Sequence, residues 1–165
     1  MLVTRQPVFR RFWYAVAPVP LLADGPVPFT LLGEPLVLFN DADGKPAALA
    51  DRCCHRSARL SGGTVADGCV TCPYHGWTYD SAGKCVRIPQ AGDREPNPKF
   101  RVPSYRCEAR YGYVWVCLDD NPLYDIPPLP EYDDPAFRSV DEFYEVWNCN
   151  GIRITENHFD NAHFT

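Results

Sequence analysis

A chain of 165 residues holds one sizeable domain, or a small domain with an appendage. Its formal charge of −5 argues against a broad nucleic-acid footprint, and 45% apolar with 22% charged residues is ordinary for a globular fold. Seventeen prolines and eleven glycines point to short strands joined by irregular loops.

The N-terminal stretch "MLVTRQPVFRRFWYAVAPVPLLADG" has an apolar run, but prolines interrupt it and no small-residue cleavage site closes it. It reads as part of the fold and not as a signal peptide. No segment approaches the roughly 20 apolar residues of a membrane-spanning helix. The expected location is therefore cytoplasmic. The eight cysteines then read as metal ligands plus buried free thiols, not as a disulfide set.

"RRFWYAVAPV" predicts a first strand. "PFTLLGEPLVLFNDADGKPAALADR" predicts paired strands, with Leu36 to Phe39 as an apolar run, "DADGK" as the turn and Ala47 to Ala50 leading back. "YHGWTYDSAGKCVRIP" predicts another hairpin around "DSAGK". Tyr113 to Leu118, aromatic and β-branched, carries the strongest strand signal in the chain. Residues 1–120 thus read as an all-β domain of short antiparallel strands. "NPLYDIPPLPEYDDP" is rich in proline and acid, which makes residues 121–140 an extended connector. "FYEVWNCNGIRIT" is strand-like again. "TENHFDNAHFT" predicts a helix start capped by Thr155 or Asn157, with Glu156 in its first turn.

Two loops carry the chemistry. Cys53 and His55 form a Cys-x-His pair, and Cys72 and His75 form a Cys-x-x-His pair sixteen residues further on. Two thiolates and two imidazoles suit a tetrahedral Zn²⁺. They equally suit a Rieske [2Fe–2S] cluster, where two histidines replace two cysteines on one of the irons. Cys107 and Cys117 lie in strand patterns and read as packed thiols. Cys85 and Cys69 read as packing residues too.

The flanking residues point one way. "CCHRSARLSGG" followed by "CPYHGWTYDSAGKC" resembles the cluster loops of Rieske non-haem iron oxygenases. Cys53, His55, Arg56, Leu60, Ser61 and Gly63 match in the first loop. Cys72, Tyr74, His75, Gly76 and Trp77 match in the second. Cys54 departs from the pattern, where the family usually has proline; exposed, it would make the loop more oxidisable. The resemblance implies a [2Fe–2S] cluster held by Cys53, His55, Cys72 and His75, walled from water by Trp77 and Tyr74. "GKCVRIPQA" resembles the pheophorbide-oxygenase-like branch, which implies a bulky or polycyclic substrate.

In "ENHFDNAHFT", Asp160 and His163 stand three residues apart, predicted on one face of a helix. The spacing resembles the Asp-x-x-His-x-x-x-x-His element of the same family. There two histidines and a distant carboxylate hold a mononuclear Fe(II) with positions open for O₂. The resemblance makes His163 the first iron ligand and Asp160 the carboxylate linking it to a cluster histidine of a neighbouring subunit. His158 matches no ligand position. The second histidine and the later carboxylate are not in the sequence, so the chain reads as a fragment.

Residues 141–165 are then the opening of an α+β catalytic domain, truncated. The resemblance implies electrons from a ferredoxin or reductase, a small organic substrate, O₂ and a homotrimer. Two rivals stand beside it: a stand-alone Rieske ferredoxin-type electron carrier, and a zinc-stabilised interaction module. Colour separates the last, since a Rieske protein is red-brown.

Overall fold

The structure, a computed structural model, describes residues 6–140, 144–149 and 151–160. Its strands are β1 Tyr14–Pro18, β2 Val27–Leu31, β3 Glu34–Asn40, β4 Pro46–Ala50, β5 Thr64–Ala66, β6 Cys69–Thr71, β7 Thr78–Tyr79, β8 Cys85–Arg87, β9 Ser104–Arg110 and β10 Tyr113–Cys117. One helix follows, α1 Gly151–Phe159. All paired strands are antiparallel, and they form two sheets. The larger has the order β1-β10-β9-β4-β3-β2 and the smaller β5-β6-β7-β8. The fold is the expected all-β domain of short strands.

β3 explains why an apolar run, and not an alternating one, sits at Leu36 to Phe39. Successive side chains of a strand point to opposite faces. Here Leu36 and Leu38 join a core with Val16, Val114 and Val116, while Val37 and Phe39 join a second core with Leu60, Val70 and Tyr79. All four residues are fully buried. Each contributes about 1.5–3 kcal/mol relative to exposure. The register reinforces the division: Val37 faces Leu49 and Phe39 faces Ala47 in one layer, while Leu38 faces Ala48 in the other.

The two predicted turns share one construction. Asp41 Oδ1 accepts from the backbone N–H of Lys45 at 2.9 Å, and Asp80 Oδ1 accepts from that of Lys84 at 2.8 Å. Gly44 donates to the Asp41 carbonyl and Gly83 to the Asp80 carbonyl. Both glycines have positive φ, 76° and 75°. A Cβ on Gly83 would also lie 2.1 Å from the Val102 carbonyl oxygen, so only glycine fits there.

Four expectations need correction. The first strand begins at Tyr14, because Pro7–Arg11 forms a 3₁₀ turn opened by proline. "FYEVWNCNGIRIT" contains no strand among the described residues, and its last five residues lie in α1. The predicted helix at Thr155 therefore starts earlier, at Gly151, and ends at Phe159. Thr155 Oγ1 donates to the Gly151 carbonyl from inside the helix, so Thr155 is not its cap. Arg153 and Glu156 form an ion pair at 2.6 Å, one turn apart. Asp160 follows the last turn, with its N–H donating to the Asn157 carbonyl, so it stands beyond the helix and not on its face. His163 lies outside the described residues. No helix among the described residues is long and apolar enough to cross a membrane.

Candidate metal centre

The smaller sheet and its surroundings bring the two Cys/His loops together. The first runs from β4 to a 3₁₀ turn at Leu60–Gly62, and the second joins β6 to β7. Their backbones close in the same way. Cys53 N–H donates to the Ala58 carbonyl at 2.8 Å, and Cys72 N–H donates to the Trp77 carbonyl at 2.8 Å. Ser57 donates back to the Cys53 carbonyl, and Gly76 back to the Cys72 carbonyl. Each cysteine thus roots a tight loop in the core while the histidine is carried outward.

Burial divides the donors. Cys53 and Cys72 are 2% and 3% exposed, His55 is exposed and His75 half-buried. Cys53 and Cys72 lie together in one buried core cluster. The imidazoles pair with each other, with His55 Nδ1 and His75 Nδ1 3.3 Å apart. His55 stacks on Trp77, with centroids 4.6 Å apart and planes 6° from parallel. Gln90 Nε2 donates to the His75 carbonyl at 2.9 Å. Trp77 is buried as expected, and Tyr74 is 60% exposed, its ring 3.9 Å from that of His75 and tilted by 36°. Tyr74 thus covers one side of the His75 ring from the solvent side, while Cys72 of the same loop is buried.

Electrostatics follow the same division. Burial pushes the Cys72 thiol up, the neighbouring Cys53 adds to this, and the backbone N–H groups of Tyr74 and His75 pull the other way. Those amides aim at the sulfur, as donors to a ligating thiolate should. Loss of hydration, then His75 and Arg56, hold the His55 imidazole below its ordinary value.

The donor set fits a two-iron cluster. Sulfurs are grouped with sulfurs and nitrogens with nitrogens, which matches a centre with cysteines on one iron and histidines on the other.

Two residues of the site escaped sequence reasoning. Tyr79, fully buried, places its hydroxyl 3.1 Å from Cys53 Sγ and 3.3 Å from Cys54 Sγ. Alternation was the available signal, because Tyr79 stands two residues after Trp77 and shares its face. Asp51, 5% exposed, accepts from Ser61 N–H and Ser61 Oγ, both at 2.7 Å, and so ties the two ends of the first loop.

The Rieske [2Fe–2S] domain family matches residues 12–106. The chain is 39% identical to methylxanthine N3-demethylase NdmB of Pseudomonas putida, covering 94% of this chain and 46% of that protein. It is 35% identical to the oxygenase component of dicamba O-demethylase of Stenotrophomonas maltophilia, covering 93% and 46%. It is 39% identical to chloroplastic pheophorbide a oxygenase of Oryza sativa subsp. japonica, covering 81% and 28%. The solved structure of Pseudomonas putida CBB5 NdmB superposes with a TM-score of 0.87 at 38% identity, covering 96% of this chain and 50% of that one. The chain spans about half the length of these NdmB and dicamba O-demethylase relatives. With the match running over both Cys/His loops and the strands that carry them, the chain belongs to the Rieske [2Fe–2S] domain family.

Proposed function

We propose that this chain is the electron-transfer portion of a Rieske-type oxygenase, with Cys53 and Cys72 on one iron and His55 and His75 on the other. The observation that carries the reading is the grouping of like donors, with the two Nδ1 atoms 3.3 Å apart on one side and the two buried cysteines in one core cluster on the other. When bound, the [2Fe–2S] cluster supplies a one-electron carrier whose imidazole ligands raise its potential above all-cysteine centres. The chain's own residues set its surroundings. The Tyr74 and His75 amides and the Tyr79 hydroxyl donate toward sulfur, Trp77 covers the His55 ring, and Asp51 fixes the first loop.

Residues 1–120 form the cluster domain in this reading, 121–140 the connector and 141–165 the start of the catalytic domain. Electrons come from a ferredoxin or reductase. His163 supplies one ligand to a mononuclear Fe(II), whose chemistry when bound is activation of O₂, with the remaining ligands from outside this sequence. Asp160 accepts hydrogen bonds from His163 and from His75 of a neighbouring subunit in a homotrimer, orienting both rings. The substrate is a small organic molecule, aromatic or polycyclic. Oxidative demethylation is the first reaction to assay, because two of the relatives are named as demethylases. The location is cytoplasmic.

The test is electron-spin resonance on anaerobically purified, reduced protein. A [2Fe–2S] signal with mixed sulfur and nitrogen ligation is expected; one equivalent of zinc with neither iron nor labile sulfide would sink the reading. For Asp160, the Asp160→Asn variant of the whole oxygenase should load its cluster yet oxidise it slowly in a single turnover. Oxidation at the wild-type rate would leave Asp160 as a residue of the helix end only.

A further inference from the structure

The hydroxyl of Tyr79 sits between two sulfurs, 3.1 Å from Cys53 and 3.3 Å from Cys54. It has one proton to give and lone pairs to receive with. Cys53, on the ligand assignment proposed above, is a thiolate when it binds iron, so it only accepts. A charged acceptor makes the stronger bond, and the tyrosine proton is directed at Cys53. Cys54 binds no iron in this assignment and keeps its S–H. It faces the lone pairs of the same oxygen. The only order that satisfies all three groups runs from Cys54 to Tyr79 to Cys53.

We propose that Cys54 is a positioning residue that tunes the cluster through Tyr79. Its S–H donates to Tyr79 Oη, strengthens the bond that Tyr79 makes to Cys53 Sγ, and so raises the reduction potential. Two physical steps support this. Hydrogen bonds in a chain polarise one another, more so where the surroundings exclude water, and Tyr79 is fully buried. Reduction places added negative charge on the cluster and its ligand sulfurs, so a stronger donor at Cys53 favours the reduced form. Cys54 is exposed, so this end of the chain of bonds is open to reagents that the ligand sulfurs never meet.

Potentials of four loaded proteins test the idea: wild type, Cys54→Ala, Tyr79→Phe and the double variant. Both single variants should fall below wild type, Tyr79→Phe further. In the Tyr79→Phe background, Cys54→Ala should add no shift, since its route to the cluster is gone. Cys54→Ser, which keeps a donor, should restore most of the potential lost in Cys54→Ala. If Cys54→Ala does not load, loaded wild type capped with methyl methanethiosulfonate gives the same comparison, with capped Tyr79→Phe as its control. A Cys54→Ala or capped potential equal to wild type overturns the proposal, as does an undiminished shift in the Tyr79→Phe background. If wild type loads no centre of mixed sulfur and nitrogen ligation, the ligand assignment falls first and this proposal with it.

Discussion

Ser57 and Gly76 occupy the same corner of two different loops. Each donates its N–H to the carbonyl of the cysteine four residues earlier, and each has positive φ, 59° and 72°. Glycine adopts this conformation freely, whereas an L-residue pays about 1–2 kcal/mol. Ser57 meets that cost with a side chain held by Arg52 Nε at 2.9 Å, an exposed contact of small worth. Ser57→Gly should therefore fold within about 1 kcal/mol of wild type, because relief of strain offsets glycine's entropy in the unfolded chain. Gly76→Val should lose roughly 1–2 kcal/mol or more. Its Cβ would stand 3.0 Å from Pro89 Cγ as well. Urea midpoints and iron content per chain check both.

Removal of Asp51 should open the first loop without disturbing the larger sheet. Asp51→Ala deletes two 2.7 Å bonds to Ser61, and hydrogen bonds to charged groups are worth about 1.5–3 kcal/mol each. Because both end on one serine, the loss should lie nearer the lower figure. Asp51→Asn keeps one acceptor and should recover part of it. Iron retention during dialysis, measured beside the urea midpoint, would separate loop opening from global loss; unchanged retention in Asp51→Ala would refute the anchoring role.

Thiol chemistry should rank the cysteines. The thiolate is the reacting form. Burial pushes Cys85 up to about 11 and Cys107 up to about 12. Cys54 and Cys149 are exposed. Alkylation of loaded protein near pH 8, read by peptide mass, should modify Cys54 and Cys149 first. Raising the pH should bring in half-buried Cys107 before Cys85, which has no exposed surface. Early labelling of Cys85 would contradict its burial.

In metal-free protein the His55 imidazole should titrate below a free histidine. Loss of hydration and the facing His75 and Arg56 all disfavour its cation. The folded value is lowered, so the neutral ring is the one the fold favours. This contribution to stability is present above the unfolded-state value and is lost as pH falls toward the folded-state value. Proton NMR of the apoprotein gives the number directly, and a His55 midpoint at or above that of an unfolded peptide would contradict the geometry.

Both Cys/His pairs were legible in the sequence because each is local: one or two residues separate cysteine from histidine, and each loop closes on itself. The two turns were legible for the same reason, through Asp41 with Gly44 and Asp80 with Gly83. Tyr79 was not, because its partners stand 25 and 26 residues away and are met only when the strands pair. α1 was misread through alternation of Ile152, Arg153, Ile154 and Thr155, which fits a strand as well as a helix over so short a span. Side-chain bonds one turn apart, Arg153 to Glu156 and Thr155 to Gly151, belong to the helical arrangement.

The division of the donors, sulfur inward and imidazole outward, bears on tunnelling. Electron tunnelling decays exponentially with the gap between donor and acceptor orbitals. A centre ringed by buried thiolates keeps every acceptor at least one protein layer away. Here the exposed ring of His55 is itself a ligand in the proposed assignment, and the flat aromatic surfaces of Trp77 and Tyr74 border the two imidazoles. A second surface can come into van der Waals contact with the conjugated edge of the centre. Rate control then passes from the chemistry of the cluster to the fit of that contact. A substitution on a docking partner, far from any iron, would change the transfer rate while leaving the potential untouched.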